Sequence, residues 1–505
     1  MSMRIGRAAA CSLLAMAAAC STPGSDGPAP GANGSSTLTA QSCTASSLGP
    51  PDAAARWIEA TDGLPGYCEV TATLHPAEGS NIGVVYRLPA RWNGKVLGIG
   101  GGGWAGNVTL MAASEGLKKG FATLQTDGGH AGTDVWNNSW VAQNPEAARD
   151  FSYRAVHEMT LAGKQLVASV YGRRPDRSYF QGCSTGGRMA LMEAQRFPED
   201  YDAISAGAPV YSLQVQTSAV LRNNTFAKPG AGFSAADLKL AQTAALKACD
   251  AEDGLTDGLI GDLGQCRWDP AEIQCAGAKT ASCLAPAQVT ALQTIYRGIR
   301  APDGQWAMFP MSPGGEPGWS LFVGTEGKGT DATGGGGLLN LSPLLFGGRE
   351  VNFAKLSPQT DIPQLRSSAF ARMYEATDPD LSAFFGRGGK LILWHGENDP
   401  GPSPVGTTEY AKAVGAKAPR AEEQMRFFLL PGVEHCRGGP GADQVEWLDT
   451  LDSWANGGTA PDSVIGKKAD GSLTRLHCAS PAVARYKGNG SPDDPANWQC
   501  SNVRK

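Results

Sequence analysis

The chain has 505 residues, a net charge of -5 and 66 glycines. That length holds either one large core with an insertion or two to three domains. The charge leaves no basic surface for nucleic acid, and the glycine content points to a loop-rich α/β enzyme rather than a helical bundle.

Arg4 and Arg7 precede an apolar run at 8–19 that ends before Cys20. This is the layout of a secretory signal over 1–20, too short to span a bilayer. Cys20 admits two readings, ordinary cleavage or lipidation to an outer-membrane anchor, although Ala17 stands where a lipid signal usually carries a bulky apolar residue. Either reading exports the chain, as a periplasmic or secreted protein. Residues 21–40 are rich in Ser, Gly, Pro and Ala and cannot bury enough surface to fold, so they read as a flexible linker.

Setting Cys11 and Cys20 aside leaves ten of the twelve cysteines, an even number that argues for disulfides in an exported chain. Sequence does not fix their connectivity. Nearest-neighbour pairing gives Cys43 with Cys68, Cys249 with Cys266, Cys275 with Cys283 and Cys478 with Cys500, leaving Cys183 and Cys436.

Strand-like alternation runs from Cys68 to Val85, and a second apolar run at 95–99 leads into Gly100, Gly101, Gly102 and Gly103. Glycines there let a backbone N–H approach a reacting carbonyl, although glycine runs also form ordinary loops. The next strand, at 121–126, ends near His130, which reads as shaping its loop; His157, within a helical pattern at 153–171, reads as structural or exposed.

Gly182-Cys183-Ser184-Thr185-Gly186 then joins a β-prone run at 178–181 to a helical run at 189–196. A sharp strand-to-helix turn is what a nucleophile elbow needs, with Ser184 raised above the sheet over a helix N-terminus. A glycine-rich turn of no catalytic use is the alternative. Another strand follows at 201–209, so strands and helices alternate as a parallel sheet requires.

From 210 to about 382 this alternation fails, and the stretch reads as an inserted lid. Within it, Asp250, Asp253 and Asp257, spaced three and four apart with two Asp-Gly steps, can wrap a hard cation with help from the carbonyls of Leu255 and Leu259. The loop is no EF-hand, since no glutamate closes it, and a solvated acidic turn is the alternative.

The strand pattern resumes at 389–396 and ends in Glu397-Asn398-Asp399; the next strand, at 425–430, ends in Glu434-His435-Cys436. Ser184, Asp399 and His435 therefore follow the triad order of the α/β-hydrolase fold, each at the carboxyl end of a predicted strand. Glu397 is the alternative acid, and His395 reads as a loop histidine. Cys183 and Cys436 flank two of the three residues, and a bridge between them would hold serine and histidine near hydrogen-bond reach, with two free thiols as the alternative.

These residues, with Gln195-Arg196-Phe197-Pro198, Ala206-Gly207-Ala208-Pro209 and Ala484-Arg485-Tyr486-Lys487-Gly488, resemble the tannase and feruloyl esterase family. The resemblance runs from about Cys43 to the C-terminus. It implies a serine esterase for aromatic esters, with Ser184 as nucleophile, His435 as base, Asp399 as its orienter, the N–H groups of Gly103 and Thr185 as oxyanion hole, and a Cys183–Cys436 disulfide. It also implies structural calcium on Asp250, Asp253, Asp257, Leu255 and Leu259, with no organic cofactor.

The family's terephthalate monoester hydrolases present a lid arginine to the free carboxylate, and none lies between Gly324 and Gly347, although Arg349, Arg366 and Arg372 remain open. Thr185 also replaces an acidic residue. Trp319, Phe322 and Leu345 are candidates to stack on the substrate ring, with core packing the alternative for each.

The expectation is an α/β-hydrolase domain over 41–209 and 383–505 with a lid domain over 210–382, acting as a monomer on a small aromatic ester such as a ferulate or gallate ester. Hydrolysis of a mono(2-hydroxyethyl) terephthalate-like ester and a secreted serine peptidase are the alternatives within catalysis. A non-catalytic surface-binding protein on the same fold is the alternative outside it.

Overall fold

Apolar runs without alternation suit parallel strands buried on both faces, whereas alternating runs suit a flank with one wet side. Both kinds occur in the computed structural model, which describes residues 37–44, 52–61, 63–327 and 337–502. The expected signal segment, Cys20 and most of the linker lie outside the described residues.

Strands β1 (Ala54–Ile58), β2 (Tyr67–Leu74) and β3 (Ile82–Pro89) form an antiparallel flank. β4 (Lys95–Ile99), β5 (Ala122–Thr126), β6 (Arg177–Cys183) and β7 (Ala203–Gly207) follow, and a hairpin of β8 (Ile299–Arg300) and β9 (Trp306–Met308) lies apart from them. β10 (Lys390–Gly396) and β11 (Met425–Leu430) then complete a sheet ordered β1-β2-β3-β5-β4-β6-β7-β10-β11. From β5 to β11 every neighbour is parallel. This is the α/β-hydrolase architecture with an extra antiparallel strand at one edge.

Alternate side chains of the central strands feed two cores. Val96, Phe180, Leu391 and Leu393 pack with helices Ala155–Tyr171 and Thr185–Arg196 on one face. Leu97, Tyr179, Ile392 and Trp394 pack with helices Leu110–Lys118 and Trp447–Ala455 on the other. Register levels the strand ends: Gly207 pairs with Cys183 on one side and Trp394 on the other, and Gly396 pairs with Leu430. The loops after β6, β10 and β11 consequently emerge along one edge.

Among the described residues of 210–382, none adds a strand to the central sheet. Their apolar side chains, among them Leu221, Leu292 and Phe370, join the first of the two cores, and the described residues form one compact unit. The C-terminal part adds β12 (Gln444–Val445), β13 (Ser463–Lys467) and β14 (Thr474–Cys478) as one small sheet, and β15 (Val483–Tyr486) with β16 (Trp498–Ser501) as another. Cys478–Cys500 ties the two together.

Candidate active site

The turn between β6 and helix Thr185–Arg196 holds Ser184 at φ 64°, a left-handed conformation that costs a non-glycine residue of order 1–3 kcal/mol. Neighbouring structure enforces it. The Ser184 N–H donates to the Gly207 carbonyl at 3.0 Å, and its carbonyl accepts from Arg188 and Val210 at 3.0 and 3.1 Å. A side chain on Gly182 would place its Cβ 2.5 Å from the Gly186 backbone, so the turn closes only on glycine.

His435, in the loop after β11, bridges the other two elements. Its Nε2 lies 2.8 Å from Ser184 Oγ and its Nδ1 2.7 Å from Asp399 Oδ2. A carboxylate only accepts, so Nδ1 carries the hydrogen and Nε2 is left to take one from the serine. Glu397, the other acid at this strand end, is buried among 261–264 and Leu429 and makes no such contact.

Asp399 is fully enclosed. Burial alone would raise its carboxyl, but the charge of His435 and hydrogen bonds from His395 and His435 outweigh it and hold the group at about 2. The Gly401 N–H fixes its other oxygen at 2.8 Å. The acid therefore stays ionised at any working pH, facing the imidazole that a proton transfer would charge.

Cys183 and Cys436 are bonded, with Cα atoms 5.9 Å apart across 253 residues of sequence. Cys436 also sits at positive φ, 63°, so the backbone turns immediately after His435 as it does at Ser184. The four nearest-neighbour disulfides, Cys43–Cys68, Cys249–Cys266, Cys275–Cys283 and Cys478–Cys500, are formed as well.

Ser184 opens into a cavity whose walls include Gly103, Thr185, Val135, Trp136 and Phe322. Gly103 is held at φ 56° with the Val135 carbonyl where a Cβ would stand, and the Thr185 hydroxyl donates to the Gly103 carbonyl at 2.7 Å. Thr185 opens its helix, where an N–H has no partner within the helix. An enclosed serine–imidazole–carboxylate relay beside two backbone segments of this kind can attack a carbonyl and carry the charge that develops on its oxygen.

A profile of the tannase and feruloyl esterase family matches residues 68–316 and 347–501. The chain belongs to this family.

It is 34% identical to a mono(2-hydroxyethyl) terephthalate hydrolase of Piscinibacter sakaiensis, over 87% of this chain and 85% of that protein. It is 30% identical to a feruloyl esterase B of Aspergillus niger, over 86% of both chains. Among solved structures, feruloyl esterase B from Aspergillus oryzae superposes with a TM-score of 0.82 at 25% identity, over 92% of this chain and all of that one. As a tannase and feruloyl esterase family member the chain is a carboxylic ester hydrolase.

The structure corrects two of the three substrate-ring candidates. Trp319 is 1% exposed and packs against Phe226 and Tyr296, and Leu345 is equally buried, so both are core. Phe322 does line the cavity, with its ring edge-on to His435 at 5.0 Å. Trp136, which the sequence did not single out, meets Phe322 at 5.5 Å and shares the wall.

The three arginines left open are engaged elsewhere: Arg349 with Asp361 at 2.7 Å, Arg366 with Asp303 at 2.8 Å, and Arg372 with the Ser367 carbonyl. Arg222 is the charged side chain on the cavity wall, fully buried, and the sequence reading missed it. Burial lowers it to about 10 while the charge of Asp399 pulls the other way, so it remains a cation at neutral pH.

His130 stacks on Trp140 at 3.9 Å, a packing role. His157 lies 2.6 Å from Asp200 and, with Glu193 of the elbow helix, forms a cluster separate from the serine site.

In the acidic loop, Asp250 accepts from the N–H groups of Asp257 and Gly258, and Asp253 and Asp257 accept from Leu255 and Leu259. Asp257 also pairs with Arg475 at 2.5 Å. Burial pushes the Asp253 carboxyl up to about 7, and the charges of Asp257 and Asp250 add to it. The three carboxylates do not bring one oxygen each to within 4.8 Å of one another. Their oxygens nevertheless suit a hard cation, and their mutual repulsion favours one.

Proposed function

We propose that this esterase hydrolyses esters of aromatic carboxylic acids through an acyl-enzyme on Ser184. The placement of His435 between Ser184 Oγ and Asp399 carries the reading. His435 Nε2 takes the hydroxyl proton as Oγ bonds to the ester carbonyl carbon; the bond to the alcohol oxygen then breaks, and the same proton leaves with the alcohol. Water repeats the sequence on the acyl-serine, releasing the acid and returning the proton to Oγ.

The N–H groups of Gly103 and Thr185 are assigned to the developing oxyanion, and Phe322 with Trp136 to the flat face of the acyl ring. Calcium on Asp250, Asp253 and Asp257, with the carbonyls of Leu255 and Leu259, would brace the insertion against the C-terminal sheets. Five disulfides suit a chain exported to an oxidising compartment.

The terephthalate reading draws support from the 34% identical relative. Hydrolysis of methyl ferulate, methyl gallate and mono(2-hydroxyethyl) terephthalate by the wild type and by Ser184→Ala tests both. A drop of several orders of magnitude in kcat is expected for the variant; retention of most of the rate would remove Ser184 from the mechanism.

A further inference from the structure

Three side chains that the ester chemistry does not use meet beside the elbow helix. His157 of helix Ala155–Tyr171, Glu193 of the elbow helix and Asp200 of the turn after it each bring one ligand atom to within 4.8 Å of the others. Glu193 and Asp200 are buried, while His157 keeps 24% of its side chain exposed.

Glu193 is the member that calls for a ligand. It is 1% exposed, and neither of its carboxylate oxygens has a hydrogen-bond partner. A buried carboxylate without a donor is costly to a fold. Burial, followed by the charge of Asp200, holds the Glu193 carboxyl well above its usual range. The donors at hand are spent on Asp200: His157 Nδ1 lies 2.6 Å from its carboxylate, and the Lys164 ammonium donates to its main-chain carbonyl.

A shared proton or a cation can settle two acids at this spacing. The imidazole beside them favours the cation and sets its class, because zinc accepts nitrogen with carboxylate oxygen, whereas calcium and magnesium take oxygen. A neutral imidazole supplies that nitrogen by carrying its hydrogen on the other one. Bonds of about 2.0–2.2 Å fit an ion among three such atoms after small side-chain shifts. The exposed part of His157 gives the ion and its water a way in.

We propose that His157, Glu193 and Asp200 form a binding site for a divalent transition ion of the zinc class, separate from the triad and from the acidic loop. The ion ties helix Ala155–Tyr171 to the elbow helix and to the turn that follows it, and takes no part in the chemistry at Ser184.

The test is equilibrium dialysis of the full chain, stripped with a chelator, against zinc in the presence of excess calcium, with the melting temperature read in parallel. The wild type should take up about one zinc per chain and melt higher for it. Glu193→Gln keeps the shape of the side chain without its charge, and His157→Phe keeps a ring to stack on Phe197, 3.9 Å away, without its nitrogen. Each should bind zinc at least about tenfold more weakly than the wild type. No uptake by the wild type would mean that the two acids share a proton instead, and overturns the site. Unchanged affinity in either folded variant overturns it too, since the zinc would then sit on other ligands such as His435. Uptake that calcium abolishes overturns the ion class. Where one variant does not fold, the other decides.

Discussion

His395 Nε2 lies 3.2 Å from Asp399 Oδ2, the same oxygen that His435 reaches from the other side. The Pro402 carbonyl stands at the same distance from Nε2, and both neighbours only accept, so Nε2 carries the hydrogen and Nδ1 accepts from the Thr407 hydroxyl at 2.8 Å. His395 is completely buried and holds the acid from beneath.

Replacing His395 should therefore misplace Asp399 without touching Ser184. His395→Ala is expected to lower kcat by about tenfold or more, the worth of one hydrogen bond to a charged group, with KM nearly constant. His395→Gln, which can still donate, should recover part of the loss. Equal kcat in His395→Ala and the wild type would show that the acid needs no second histidine.

The Cys183–Cys436 bond should matter more for rate than for folding. In the double variant Cys183→Ser, Cys436→Ser, two large apolar cores remain, and the circular dichroism spectrum at 25 °C should be native. Loss of the clamp on the 2.8 Å serine–imidazole contact should lower kcat/KM by about 10²-fold. Undiminished kcat/KM in that variant would make the bridge dispensable.

Calcium should appear as stability. Chelation is expected to lower the melting temperature of the wild type and leave Asp253→Ala unaffected, with calcium restoring only the former; at a hundredfold excess over Kd the ion is worth about 2.7 kcal/mol. Identical melting curves with chelator and with calcium would reduce the loop to an acidic turn.

Glu397 supplies a pH signature. Burial, followed by the charge of Asp262, pushes its carboxyl up to about 8, and Oε2 has no partner. The folded chain therefore keeps a proton that the unfolded chain releases above about 4.3, so this residue's contribution is fully present below that value and is lost as pH rises through 8. The melting temperature of Glu397→Gln should gain on that of the wild type as pH climbs from 5 to 8. A difference that stays constant with pH would rule out the buried proton.

The elbow and the strand-end residues were legible because each has a local signature: glycines that a tight turn demands, and apolar runs that stop at a polar residue. Helix Gln214–Phe226 was not. Nearly every residue from Gln216 to Phe226 is buried, polar ones included, so the helix lacks the one-sided apolar stripe by which a surface helix is recognised. Arg222 was lost with it. Trp136 sits on a loop without periodicity, and Trp319 looked like a ring platform because an aromatic side chain reads alike in a core and in a cavity. The two faces of the sheet were equally hidden in β10, where adjacent apolar residues enter different cores.

Because the Cys183–Cys436 bond spans 253 positions, the whole insertion hangs between its two sulfurs as a covalent ring. A peptidase that nicks this ring at an exposed bond yields two fragments that travel together until a reductant parts them. In a hostile extracellular fluid, Ser184 and His435 would then stay joined after the main chain between them had been severed.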